Sequence, residues 1–318
     1  MAKQKGIEVC VLSYLDSFFF LLAIPKVCSL MKLHKSDVVH LHSTNASIVG
    51  RISSLFTSTK VVYTVHGWHF LNHKFDGLLN WLLVCVERVL MRSVNAWVMI
   101  SKFDYFTGIE KAIIHDGLTH YVPNGVPEIT SELFSLSEIG EVFKIVFVGR
   151  ACQQKNPIEA VRVIEKLDEN FHLTMFLSGP DVGIYVGEIS KSPAADRITI
   201  VQNEPNASRF LASFDLLVMT SRYEGMPLVI LEAMSFGLPV IANDVCGLSE
   251  IVVEGESGYL VECSHPELMA EKALLLFRNP DKAQKMSDDA KRRFYETHTE
   301  KMMVDKTFNV YRKVIEVS

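Results

Sequence analysis

The sequence predicts an α/β protein made of two doubly wound units, each a parallel sheet covered by helices on both faces. Three observations carry that expectation. Short apolar runs alternate with segments of helical period along almost the whole chain, the pattern of repeated strand-helix crossovers. The strand-like runs, such as KIVFVG and LLVM, are continuously apolar, as strands buried on both faces must be. The alternation lapses between Asn124 and Gly140, where apolar residues thin out and Pro127 and Gly140 stand, so the connection between units is placed there. A chain of 318 residues is long enough for two domains of ordinary size. The expected boundaries are 1–125 for the first, 140–302 for the second, and 303–318 for a closing helix.

Taken in order, IEVCVLS (7–13) reads as the opening strand and residues 17–34 as a helix. DVVHLHS (37–43) is a strand, followed by a helix from Asn45, a candidate N-cap, to Phe56. KVVYTVH (60–66) is the next strand, and an apolar helix then runs from Gly77 to Met91. NAWVMIS (95–101) is a strand, a helix starts near Asp104, and THYVPNG (119–125) closes the first unit. The second unit repeats the pattern: FKIVFVGR (143–150), a helix from Pro157, FHLTMFLSG (171–179), a short helix and RITIVQN (197–203). A helix from Asn206, DLLVMTS (215–221), a helix behind Pro227, LPVIAND (238–244), a helix and GYLVE (258–262) follow. From Pro266 the tail is helical throughout.

Composition excludes several classes. Apolar content of 48% with 22% charged residues describes a folded globular chain, not a disordered one. The most apolar run, Phe18–Ile24, ends at Pro25, far short of the roughly 20 residues a bilayer needs. The 6 cysteines show no C-x-x-C spacing and are expected to be buried thiols of a reducing compartment. No G-x-G-x-x-G follows a predicted strand, which argues against a dehydrogenase, and there is no Asp-x-Asp motif. The net charge of −5 is uneven: residues 1–125 hold 12 Lys+Arg and 8 Asp+Glu, the remainder 20 and 29. A basic half suits an anionic lipid surface or a diphosphate-bearing acceptor, and equally a plain variation of surface charge.

The most informative stretch is Asp215–Pro239. An apolar strand leads into a tight loop, Ser221 to Met226, where Gly225 would supply unusual backbone angles. Pro227 is expected at the first helical position, and Gly237 with Pro239 at the stop. A strand feeding a glycine loop and a helix start presents backbone N–H groups to an anion. Two carboxylates flank it, Glu224 in the loop and Glu232 inside the helix. Glu232 lies five residues past Pro227, roughly 7–8 Å along the axis, about the reach from a diphosphate to its ribose.

EGMPLVILEAMSFGLPVIA resembles the donor-site signature of family 4 of the glycosyltransferases, the E-x7-E group with the GT-B fold. The likeness continues through FVGR (147–150), Lys155, SGP (178–180), DLLVMTS and SGYLVE (257–262), over most of residues 120–265. It implies two Rossmann-like domains with the ligand in a crevice at the carboxyl ends of both sets of strands. It also implies that the last helix crosses back to the first domain.

The function implied is a retaining glycosyltransferase that moves a sugar from a nucleotide sugar, UDP-linked by family habit. The acceptor would be an undecaprenyl-diphosphate-linked glycan of capsule, O-antigen or exopolysaccharide synthesis. Arg150 and Lys155 would clamp the diphosphate in place of a metal. Glu224 would hold hydroxyls of the transferred sugar, Glu232 the ribose, and Gly225, Met226, Pro227 and Leu228 would line the sugar and phosphate oxygens. His66 matches the family's first-domain histidine near the donor sugar, and His66-Gly67-Trp68 resembles the capsule and exopolysaccharide branch. The catalytic set is thus His66, Glu224, Arg150 and Lys155. No cofactor or metal is expected beyond the nucleotide-sugar substrate, and no nucleic acid. A cytoplasmic place on the inner membrane face, by peripheral contact, follows from the same resemblance. Two other readings stay open: a GT-B sugar-nucleotide epimerase, and a truncated non-catalytic partner subunit.

Other candidates read as structural. His40 and His42 point the same way from one strand but lack a third metal ligand at a sensible spacing, which favours packing. Trp68, Trp81 and Trp97 are expected in the core, Trp68 alone with a possible place at the sugar. Lys102, Lys111 and Arg92 read as solvated helix faces.

Family members open with a strand, a glycine-rich turn and a helix before a segment like GIEVCVLS, and here none of the three is complete. Either IEVCVLS takes the central place in the first sheet, or the natural protein is longer at its amino end. The second alternative would make the 318-residue form poorly soluble or inactive beside the extended one.

Overall fold

The computed structural model describes residues 7–128 and 142–316, apart from positions 13, 16, 18, 69 and 71–76. The chain divides into two compact units, Met1–Val122 with Lys306–Ser318, and Pro123–Asp305. The first therefore ends a few residues before the expected boundary. Much of the expected connection, 129–140, lies outside the described residues.

The first unit carries a four-stranded parallel sheet in the order β1 (Val38–His42), β2 (Lys60–Val65), β3 (Ala96–Met99) and β4 (Thr119–Tyr121). Its helices are α1 (Ile24–Leu33), α2 (Thr44–Ser54), α3 (Gly77–Leu90) and α4 (Lys102–Glu110). The continuous apolar strands predict the core that forms, with Val61, Tyr63, Val65, Trp97 and Met99 packed beside Trp68 and Ile113. Local chemistry sets the helix starts. Ser101 caps α4: its Oγ accepts from the Asp104 amide at 3.0 Å and donates to the Asp104 carboxylate at 2.6 Å. Asn45 does not cap α2. The cap position is Ser43, at φ 66°, while Asn45 Nδ2 donates to the Leu15 carbonyl at 2.9 Å.

One expected strand is missing. Residues 7–12 of IEVCVLS form no strand, and Ile7, Val9 and Val11 are exposed. The apolar alternation gives that segment strand propensity, but a strand needs a neighbour for its N–H and C=O groups. IEVCVLS does not take a central place; among the described strands β1 is an edge, paired only with β2.

The helix α2 carries a buried charge that the sequence reading passed over. Arg51 is fully buried, and its guanidinium donates to both oxygens of Glu87 on α3, at 2.7 and 3.1 Å. Its remaining donors reach the Ser47 carbonyl and hydroxyl, and the plane lies 5.1 Å from the centre of the Tyr63 ring. Each of these groups is satisfied by the others, the condition under which a buried ion pair is tolerated.

The second unit has a six-stranded parallel sheet. Its strands are β5 (Phe143–Arg150), β6 (Phe171–Ser178), β7 (Ile198–Gln202), β8 (Leu216–Met219), β9 (Val240–Asn243) and β10 (Gly258–Val261). The order is β10-β9-β8-β5-β6-β7, so the sequence of strands reverses direction beside β5. Helices α5 (Pro157–Glu165), α6 (Val182–Ile189), α7 (Leu228–Phe236), α8 (Pro266–Arg278) and α9 (Pro280–Thr297) surround it. The helices expected from Asn206 and after LPVIAND are 3-10 turns, Ala207–Ser213 and Leu248–Glu250. The last helix, α10 (Glu300–Glu316), begins in the second unit, and its residues from Lys306 belong to the first.

Two further expectations fail. The cysteines are free, but Cys10 is exposed and the other five are half-buried, so none is a core thiol. Trp68 and Trp97 are buried, whereas Trp81 is 60% exposed, because it sits on the outward side of α3.

Candidate active site

In a doubly wound sheet, ligands bind where the strand order reverses, at the carboxyl ends of the strands. In the second unit that place is the end of β5 beside β8, and the sequence delivers polar loops to it. β5 ends at Arg150, and the loop to α5 carries Gln154 and Lys155. β8 ends at Met219, and the loop to α7 carries Glu224.

The two loops are stitched together. The Gln154 carbonyl accepts from the Arg222 amide at 2.8 Å, and Gln154 Nε2 donates to the Tyr223 carbonyl at 3.1 Å. Thr220, fully buried, donates to the Lys155 and Asn156 carbonyls. Beneath them Glu159 on α5 is buried and accepts from Asn156, from Asn243 at the end of β9, and from the Ser264 amide at 3.2 Å. Asn156 has the left-handed backbone (φ 49°) that lets the loop turn into α5.

This frame brings Lys155 Nζ within 2.6 Å of Glu224 Oε1, with both side chains largely buried. Arg150, at the same strand end, is exposed and donates to Gln154 Oε1 at 3.2 Å. Sequence reasoning named Arg150, Lys155 and Glu224, but placed Lys155 only on a phosphate. It missed Gln154, Thr220, Glu159 and Asn243. No spacing marks these four; Thr220 and Asn243 lie at the carboxyl ends of predicted strands, whereas Gln154 and Glu159 lie four and nine residues past one.

The helix start differs from the expectation in two details. Pro227 is the N-cap of α7 (φ −70°, ψ 123°) and the helix begins at Leu228. Gly225 does not have positive φ, so the loop does not use a left-handed backbone there. Met226 is buried, and Asn124 Nδ2 donates to its carbonyl at 3.0 Å. The amides of Gly225, Met226 and Leu228 donate to no described residue, and first-turn amides have no partner inside a helix. Gly237 ends α7 at φ 76°, with the Leu238 amide on the Ala233 carbonyl at 2.9 Å.

Glu232 sits on α7, half-buried; its carbonyl accepts from Ser235 Oγ at 2.6 Å, but its carboxylate has no hydrogen bond or ion pair to any described residue. Burial raises its carboxyl above the usual glutamate range. The folded chain therefore holds this proton more tightly than the unfolded chain. Above both pKa values the ionised group lowers stability, and that cost vanishes as pH falls below the unfolded value. Glu232→Gln should raise the melting temperature of the ligand-free chain at about pH 7, and the gain should shrink toward about pH 4. A lower melting temperature near neutrality would count against an unpartnered carboxylate.

In the first unit, His66 follows β2, and its Nε2 lies 2.8 Å from Nδ1 of His42 at the end of β1. His40 packs against His42 with ring centres 4.2 Å apart and the planes tilted by 37°, and is held by Thr64 Oγ1 and the Tyr311 hydroxyl. All three rings are held below the ordinary histidine range. Desolvation leads in each case; His42 adds to it at His66, and His42 with His66 at His40. They are neutral near pH 7, so one nitrogen of the His42–His66 contact donates and the other accepts. Among the described residues no group of three or more His, Cys, Asp or Glu could hold a metal ion. The partnership of His42 with His66 was missed, although neighbouring parallel strands that both end in histidine were visible in the sequence.

Comparison with known proteins gives a consistent result. A family model described as "Glycosyl transferases group 1" matches residues 129–293, and one described as "Glycosyltransferase Family 4" matches residues 4–128. An Escherichia coli protein, UDP-Gal:alpha-D-GlcNAc-diphosphoundecaprenol alpha-1,3-galactosyltransferase, is 27% identical over 73% of this chain, which spans 64% of that protein's length. The O-antigen biosynthesis glycosyltransferase WbnH of Escherichia coli is 26% identical over 82% of this chain and 73% of its own. Among solved structures, sucrose-phosphate synthase from Thermosynechococcus elongatus superposes with a TM-score of 0.82 over 94% of this chain and 80% of its own, at 18% identity. Anabaena HepE, in complex with UDP and glucose, gives a TM-score of 0.82 over 98% of this chain and 87% of its own, at 19% identity.

Proposed function

The chain belongs to the group 1 glycosyltransferases and has the GT-B fold of two Rossmann-like α/β units, and from that membership we propose that it transfers a sugar from a UDP-linked donor to a lipid-diphosphate-linked glycan, with retention of configuration. The observation that carries the reading is the donor-side constellation: the Lys155–Glu224 contact ahead of α7, with the unpartnered carboxylate of Glu232 farther along the same helix. Two relatives support the polymer and the acceptor. One is named for O-antigen biosynthesis, the other for transfer to an α-GlcNAc-diphosphoundecaprenol.

In the proposed reaction the bond from the anomeric carbon to the donor's diphosphate oxygen breaks as the acceptor oxygen bonds to the same face of the sugar. The acceptor's proton passes to the departing diphosphate. Negative charge grows on that diphosphate, and Lys155 and Arg150 stabilise it. Lys155 has three N–H donors, so it can keep Glu224 and still meet a phosphate oxygen. The amides of Gly225, Met226 and Leu228 receive further oxygens, Glu224 orients hydroxyls of the transferred sugar, and Glu232 holds the ribose. His66, neutral and bonded to His42, takes the histidine role that the family resemblance implies. Peripheral contact with the inner membrane face belongs to the same proposal, since the acceptor is a lipid. Among the described residues no helix is long and apolar enough to cross a membrane.

The discriminating experiment is a titration with uridine, guanosine and adenosine diphosphate sugars, followed by product analysis by NMR. Saturable UDP-sugar binding, and an α-linked product from an α-linked donor, are expected. Turnover of donor without acceptor would favour an epimerase, and binding without turnover a non-catalytic partner. A second expected outcome concerns metal. With two cations and helix amides at the diphosphate, transfer should survive EDTA. Complete loss on chelation, restored by magnesium or manganese, would remove the clamp role from Arg150 and Lys155.

A further inference from the structure

The helix α3 is amphipathic in an inverted sense. Its inward stripe, Asn80, Leu83, Val84 and Glu87, includes its one acidic residue, buried against Arg51. Its outward stripe is apolar: Leu78 (67% exposed), Trp81 (60%), Leu82 and Val89 (76%) recur at helical spacing, with Val86 beside them. An exposed apolar stripe of this length on a folded chain marks an interaction surface.

The surrounding charge identifies the partner. Over residues 77–111 the bases are Arg88, Arg92, Lys102 and Lys111, and the acids are Glu87, Asp104 and Glu110. Glu87 and Asp104 are buried, so the surface of this segment is net positive. Arg88, on the outward side, donates from Nε to the Lys111 carbonyl at 2.7 Å. Lys111 caps α4, whose exposed residues include Phe106 and Ile109. A second copy of this chain would bring the same cations face to face, a like-charge contact that opposes a symmetric dimer. An anionic lipid surface matches both the charge and the apolar stripe. At 14 residues, about 21 Å, α3 is too short to cross a hydrocarbon core of about 30 Å, and suits lying in the interface plane.

We propose that the outward face of α3, from Leu78 to Val89, is the surface by which this chain rests on an anionic lipid bilayer. This rests on the lipid-linked acceptor of the proposed function and locates the membrane contact on named residues.

The test is co-sedimentation of the full chain with vesicles of phosphatidylglycerol and phosphatidylethanolamine, with phosphatidylcholine vesicles as the neutral arm. Trp68 and Trp97 are buried, so a blue shift of tryptophan emission on binding reports Trp81. Binding to the anionic vesicles with a blue shift, weakened by salt, is expected. Leu82→Glu with Val89→Glu should lower partitioning on the order of tenfold or more, with circular dichroism and UDP affinity unchanged. The milder Leu78→Ser with Leu82→Ser repeats the test if the charged variant misfolds. Equal vesicle binding by folded variants would overturn the proposal. So would a wild-type dimer, abolished by the same substitutions, without vesicle binding. Wild-type chain that binds UDP but no vesicles would overturn the docking face alone, while failure to bind any nucleotide sugar would strike the donor reading instead.

Discussion

Replacing Lys155 by alanine should lower turnover about 10²–10³-fold, the usual loss when one donor to a developing oxyanion is removed. The structure makes the neighbouring variants informative. Glu224 lies 2.6 Å from Lys155 Nζ, so Glu224→Ala leaves the cation in place and frees it for phosphate. Affinity for bare UDP should then be unchanged or higher, while turnover falls. Glu232→Ala should do the reverse, weakening UDP with a smaller effect on the chemical step. Calorimetry of UDP binding and initial-rate kinetics read the two quantities separately. Equal loss of UDP affinity in both glutamate variants would refute the division of labour. A double-mutant cycle between Lys155 and Glu224 would show how much of each single effect is their contact.

A stability effect of comparable size is expected in the first unit. Glu87→Gln, or Arg51→Met alone, leaves one buried group without its charged partner, and should cost about 3–5 kcal/mol. Against a typical stability of roughly 5–15 kcal/mol, that is a large share of the whole margin. Removing both charges together, with Arg51→Met and Glu87→Leu, should recover much of the loss, because no unpaired charge remains in the interior. Chemical denaturation followed by circular dichroism measures it. A double variant no better than either single one would mean that the pair matters through packing of the guanidinium on Tyr63 and Ser47.

The second unit was more legible than the first. Its strands are continuous apolar runs closed by punctuation with a physical meaning, such as Gly237 at φ 76° behind α7. What could not be read there was the meeting of residues far apart. Lys155 and Glu224 are 69 positions distant, and no spacing encodes their contact. Gln154 and Thr220, which join the two loops, are ordinary polar residues until the strands bring them together. In the first unit, propensity misled where the partner decides the outcome. Ile7, Val9 and Val11 alternate as a strand would, yet residues 7–12 pair with no strand. Trp81 is expected in the core from the sequence, yet is 60% exposed. Its helix gives the inward face to Glu87, which Arg51 draws into the core.

The closing helix imposes an order on biosynthesis. Residues from Lys306 onward pack with Met1–Val122, and Tyr311 bonds His40 on β1. A ribosome must therefore pass through the 183 residues of Pro123–Asp305 before the first unit has all its parts. At about 5–20 residues per second that interval is roughly 10–40 s. The second unit, contiguous in sequence, can finish first, reversing the usual amino-terminal lead. During that interval the His40 end of β1 waits without its hydroxyl partner, exposed to chaperones and proteases. A fragment ending at Val122 would remain in that state permanently, whereas grafting residues 306–316 onto it through a flexible linker would supply the missing piece in cis.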